Sequence, residues 1–160
     1  MADSIAYPIV GAPLPHEANV YRALRLESFS PEGDPTEAHF IMKKKHRTEE
    51  GPSHGICDLI PREHAERLFH PQRIAKLNVS EMVNPSGGQS LSERGVVVIP
   101  YRDAKSDEFY KEYAEAHAVL TGYQDLTNKE LNEFKRHLAS LAKKALEADK
   151  STTNIDPPKT

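Results

Sequence analysis

The segment Leu126-Thr127-Asn128-Lys129-Glu130-Leu131 opens a long amphipathic helix, and it constrains the fold more than any other stretch of the chain. Thr127 and Glu130 have the spacing of a capping box, in which each side chain satisfies a backbone N–H that the first helical turn leaves free. Leu126 and Leu131 are placed to close a hydrophobic staple over that turn. Leu131, Phe134, Leu138, Leu141, Ala142 and Ala145 then recur at helical spacing as one apolar stripe. A helix from Thr127 to about Ala148 with such a stripe needs an apolar surface to pack on.

Strands are expected to supply that surface. Val20 to Phe29 carries Val20, Leu24 and Leu26 at even positions, with Arg22 among them. After the turn signal Pro31-Glu32-Gly33-Asp34-Pro35, Glu37 to Lys44 places Ala38, Phe40 and Met42 on one face, so the two segments read as an antiparallel hairpin. Gly55 to Ile60 is a short strand candidate. Pro61 fits the first position of a short helix carrying Ala65, Leu68 and Phe69, which Pro71 ends. Arg73 to Val79 alternates weakly. Gly95 to Ile99 is a β-branched run without alternation, which reads as a central strand covered on both faces. Ser106-Asp107-Glu108 starts a further helix, and His117 to Thr121 reads as the last strand.

Strands, a short helix, more strands and a terminal helix make an α+β fold. The expected sheet is mainly antiparallel or mixed, with about five or six strands, the long C-terminal helix packed on it, and one or two shorter helices. With 160 residues, 38% hydrophobic, no Trp and 12 Pro, the chain has enough length for one modest core with irregular connections. The expected division is a Pro-rich arm over 1–18, one α+β domain over 19–148 and a polar, mobile tail over 149–160.

Charge and cysteine content exclude several classes of function. Residues 1–80 carry 10 basic and 11 acidic side chains and residues 81–160 carry 11 and 13, so the net charge of −3 is evenly spread. Such a chain has no broad positive field for nucleic acid. The basic run Lys43-Lys44-Lys45-His46-Arg47 is followed at once by Glu49 and Glu50 and reads as a solvated loop. Cys57 is the single cysteine, which fits a reduced cytoplasmic setting. No secretory leader and no apolar run of membrane-spanning length is apparent, so no membrane partner is expected.

Several residues could carry chemistry. Eight histidines, His16, His39, His46, His54, His64, His70, His117 and His137, lack the local spacing of a metal site. His54, Cys57 and Asp58 suit zinc chemically, but Cys57 has no partner thiol, so no metal is expected. Asp58 also opposes thiolate formation at Cys57. Arg22 must find a carboxylate, several carbonyls or a bound anion on its apolar face, which makes it the anion-binding candidate. An arginine on a first strand with Ser90-Leu91-Ser92 matches two elements of one group of NAD-dependent ADP-ribosyltransferases. The Glu-x-Glu or Gln-x-Glu element is absent, and Glu112 and Glu115 have the wrong spacing. His117, with Val119 and Thr121, is by default a buried neutral imidazole. To act as a general base it needs a cleft and a neighbouring nucleophile.

The chain thus reads as a small cytoplasmic, non-catalytic accessory protein with no cofactor, acting through contacts with another protein. Tyr7, Ile9 and Val10 of the arm are the expected anchors. The alternative is an enzyme acting on a nucleotide or other phosphorylated small molecule, an NAD-dependent transferase among them. Arg22 would then hold the anion and His54 or His117 would handle the proton. The two readings diverge on whether Arg22, His54 and His117 share a pocket.

Overall fold

The computed structural model describes residues 12–45, 47, 50–85 and 90–155. Five strands, β1 (Asn19–Leu24), β2 (Ser53–Ile56), β3 (Arg73–Asn78), β4 (Val97–Pro100) and β5 (His117–Thr121), form one sheet in the order β3-β1-β2-β5-β4. Every neighbouring pair is antiparallel. The α-helices among the described residues are α1 (Arg62–Phe69), α2 (Val79–Val83), α3 (Ala104–Tyr110) and α4 (Asn128–Ile155). The arrangement is α+β.

The capping box of α4 forms as its spacing requires. Glu130 N donates to Thr127 Oγ1 at 3.1 Å and Thr127 N donates to Glu130 Oε1 at 2.8 Å. The other oxygen of Glu130 accepts from Arg94 Nη1 at 2.5 Å, which ties the helix start to the turn before β4. The Arg94 guanidinium, with the Thr127 N–H, draws the Glu130 carboxyl down to about 2. Leu131, Phe134, Leu138 and Ala142 then bury against Val20, Leu24, Ile56, Leu77, Ala118 and Leu120 of the sheet. The opposite face carries Tyr21 and Ile74, covered by Ala65 of α1, Tyr110 of α3 and Ala114 and Ala116 of the 3₁₀ turn Lys111–Ala116. The sheet is therefore the middle of three layers, which lets both faces of a modest chain exclude water.

Three segments differ from the sequence expectation. Residues 37–44 do not form the second strand of a hairpin. Glu37–His39 is a 3₁₀ turn, started by the Thr36 hydroxyl accepting from Ala38 N at 3.3 Å. β1 already pairs with β3 on one side and β2 on the other, so no edge is left for this segment. Phe40 and Met42 are nonetheless buried, because irregular backbone also delivers alternate side chains to a core. β1 itself stops at Leu24 and gives way to a 3₁₀ turn at Leu26–Ser28. The Val97–Pro100 strand lies at an edge of the sheet, not at its centre. Its apolar run still has a purpose, since Val98 and Ile99 are buried, and Leu14 N donates to Val98 O at 2.9 Å along the edge.

Smaller differences concern helix starts. α3 begins three residues before Asp107. Its cap is Asp103, whose carboxylate accepts from Ser106 N at 2.8 Å while Ser106 Oγ accepts from Asp103 N at 2.6 Å. Pro61 is the N-cap of α1, one residue before its first turn. Two glycines are required by close approach. At Gly122, with φ +88°, an added Cβ would meet the carbonyl oxygen of Gly95 at 1.9 Å, and at Gly51 it would meet that of Leu120 at 1.9 Å.

Removing the cap and removing the stripe should differ in scale. Thr127→Ala is expected to cost about 1 kcal/mol in urea unfolding, and Phe134→Ala roughly 3–5 kcal/mol. Equal effects would show that packing on the sheet does not dominate the stability of α4.

Candidate active site

The period-2 alternation of the strands separates the polar residues of the sheet into two groups. Gly55 pairs with His117 and His54 with Ala118, so His117 and His54 lie on opposite faces. Continuing the register Val20↔Ile56 and Tyr21↔Gly55 puts Arg22 beside His54, on the face covered by α4. Arg22, His54 and His117 therefore do not share a pocket.

On the α4 face, the hydrogen-bond partners of Arg22 among the described residues are carbonyls and not carboxylates. Nη1 donates to Ser53 O at 2.8 Å, Nη2 donates to His39 O, and the guanidinium lies 5.5 Å from the centre of the Phe40 ring. Burial lowers the guanidinium to about 10, which leaves it charged at neutral pH. His39 and His54 are 3% and 1% exposed. Burial, reinforced by the Arg22 charge, lowers His39 to about 4 and His54 to about 3, so both are neutral. His54 Nδ1 donates to Pro52 O at 3.1 Å, which assigns its tautomer. Arg22 Nε, His39 Nε2 and His54 Nε2 have no hydrogen-bond partner among the described residues.

On the other face a cleft of about 250 Å³ opens, lined by Ser53, Phe69, Asp103, Lys105, Ser106, Phe109, Tyr110 and His117. His117 Nδ1 is 2.6 Å from Tyr101 O, and because a carbonyl only accepts, Nδ1 carries the proton. The lone pair of neutral His117 is then on Nε2, which faces Ser53 Oγ at 3.3 Å. Burial pushes His117 below the usual imidazole value, against the opposing pull of the Tyr101 carbonyl and Asp103. The imidazole is thus a neutral acceptor aimed at a solvent-exposed hydroxyl. Tyr110 OH donates to His54 O at 3.4 Å and closes the floor of the cleft.

Ser53, Tyr101 and Asp103 were not singled out in the sequence. Ser53 shares a face with Gly55, but nothing local shows that this face meets β5, 64 residues away. Ser90 and Ser92 are engaged elsewhere, each with Asn84 Oδ1, at 2.5 and 3.0 Å. Cys57 is partly buried, and burial raises its thiol to about 11. Among the described residues no three metal-ligating side chains gather. His64 packs at a tilt against Tyr113, and His137 bonds to Glu81 O. Arg47 of the basic run bonds through its backbone to Glu50. Tyr7, Ile9 and Val10 lie outside the described residues. No helix among the described residues is long and apolar enough to cross a membrane. Compared with family models, curated proteins and solved structures, the chain matches none.

The two buried imidazoles predict acid sensitivity. Their native values lie below the unfolded value of about 6.5, so the unfolded chain takes up protons that the native state refuses. The stability they contribute is complete above pH 6.5 and is lost as pH falls toward 4. Each histidine should contribute up to about 1.4 kcal/mol per pH unit in that window. Urea midpoints at pH 7, 6 and 5 measure this, and midpoints that do not change would place both imidazoles in solvent.

Proposed function

We propose that the protein is an enzyme of the serine-hydrolase type, with Ser53 as nucleophile and His117 as general base. The observation that carries this reading is the chain of contacts from Ser53 Oγ to His117 Nε2, and from His117 Nδ1 to Tyr101 O, at the wall of a solvent-reachable cleft. It has the three parts such chemistry needs: a nucleophile, a base within reach, and a group that sets the tautomer of the base. The Tyr101 carbonyl takes the orienting role that a carboxylate has in a triad. A separation of 3.3 Å is a usual length for such a contact before substrate tightens it.

In the reaction, Ser53 Oγ attacks an ester carbonyl carbon as His117 Nε2 takes the hydroxyl proton. The C–O bond to the leaving alcohol breaks, and the alcohol departs with that proton. Water then attacks the acyl-Ser53 ester, giving its proton to His117. The acid is released and Ser53 recovers its hydroxyl proton from His117. Lys105, on the cleft wall, is the cation available to the negative charge that develops on the carbonyl oxygen. Arg22 supports the arrangement from behind, since its bond to Ser53 O holds the start of β2. The accessory-protein reading rests on arm residues outside the described part of the chain, whereas this one is supported by the contact between Ser53 Oγ and His117 Nε2.

The first test is labelling by a fluorophosphonate probe, followed by peptide mass spectrometry. The adduct should lie on Ser53 and should vanish in Ser53→Ala. His117→Ala should slow labelling and p-nitrophenyl acetate turnover by roughly 10²–10⁴-fold. Labelling that persists in Ser53→Ala would end this reading. Turnover by the wild type should also rise with pH along a limb centred below the ordinary histidine value of about 6.5, because only the unprotonated base works and burial depresses its pKa.

A further inference from the structure

The cleft beside Ser53 has a second property that acid–base chemistry does not use. Phe69, Phe109 and Tyr110 form an aromatic cluster, with centroid separations of 5.5 Å for Phe69–Phe109, 5.2 Å for Phe109–Tyr110 and 6.1 Å for Phe69–Tyr110. The Tyr110 ring continues it to the His117 ring at 5.4 Å, so an apolar wall runs from the cleft mouth to the base. Phe109 is 46% exposed, one of three exposed large hydrophobic side chains among the described residues, and it is on this wall. Its neighbour Tyr110 is buried with Tyr21 and Ile74, so α3 packs on the sheet through Tyr110 and leaves Phe109 over the cleft.

Resting on the reading of Ser53 as nucleophile, we infer that the cleft accepts a short apolar acyl group, aromatic or of medium chain length, laid along Phe109 and Phe69 with its carbonyl at Ser53. Size supports the class. At about 250 Å³ the cleft is below the range of about 300–1,000 Å³ that holds drug-sized ligands, so it fits an acyl group and not a long lipid chain. Chemistry supports it as well. Face and edge contacts with aromatic rings favour a planar or flexible apolar group, and covering Phe109 removes apolar surface from water.

Two measurements test the inference and separate it from the assignment of Ser53. In the first, turnover of p-nitrophenyl acetate, hexanoate, phenylacetate and palmitate is compared. The kcat/KM of the wild type should rise at least roughly ten-fold from acetate to hexanoate or phenylacetate and fall again for palmitate, since one methylene in an apolar pocket is worth about ten-fold or more. Phe109→Ala should flatten that profile. In the second, N-methylphenylacetamide is added to Ser53→Ala and saturation transfer to its ring protons is read by NMR, with Phe109→Ala in the same background as the comparison. Ring saturation that depends on Phe109, without ester turnover in the wild type, would support the acyl site and overturn the role of Ser53. Acetate turnover with a flat chain-length profile and no ring saturation would overturn the acyl site and leave the role of Ser53 standing.

Discussion

Much of the molecule depends on the half-buried Arg22, whose Nε is shut off from solvent. A charged group on an apolar strand face is costly to desolvate, and it persists only where dipoles or charges replace the lost water. Here the replacement is the carbonyls of Ser53 and His39 together with the face of Phe40. Those three contacts join the paired strands β1 and β2 to a segment that is not part of the sheet. The segment around residues 37–42 lies outside the sheet, and the guanidinium bonds its backbone to β1 while Phe40 and Met42 pack in the core. β2 is only four residues long, and its first carbonyl is held by the same group.

The sheet then divides like residues into unlike roles. His54 and His117 lie on adjacent strands, and both use Nδ1 to donate to a backbone carbonyl. On the α4 side of the sheet, His54 is buried and its remaining nitrogen has no proton to exchange with solvent. On the opposite face, the same tautomer leaves the lone pair of His117 directed at a hydroxyl in an open cleft. Burial and side of the sheet account for the whole difference. α3 shapes the cleft on that face, since its Asp103–Ser106 cap fixes where the helix starts, and Tyr110 then reaches the His54 carbonyl while Phe109 stays at the mouth.

Elements whose causes are local could be read from the chain alone. The Thr127–Glu130 box, the apolar stripe of α4, the Pro-started α1 and the strand at His117–Thr121 all depend on residues a few positions apart. The failures share a cause. Ala38, Phe40 and Met42 alternate like a strand, but whether a segment becomes one depends on a free edge, and β1 had none to offer. The Gly95–Ile99 run reads as central because it is apolar on both sides, yet the cover on its outer side comes from Leu14 and not from another strand of the sheet. Arg22 announced itself as a charge that needed partners, and carbonyls were among the partners foreseen. Which carbonyls they were was not legible.

The amino-acid sequence by itself determined the α+β class, the long capped helix and the pattern of side chains that must be buried, because helix caps and hydrophobic periodicity act over one or two turns of chain. Strand order, the rejection of the 37–44 segment from the sheet and the meeting of Ser53 with His117 were decided only by the tertiary structure. Each of these is a contact between residues far apart in the chain, with no local signal at either end. A serine and a histidine become a chemical pair only when β2 and β5 pair in one register, since a shift of one residue would turn either side chain to the other face of the sheet.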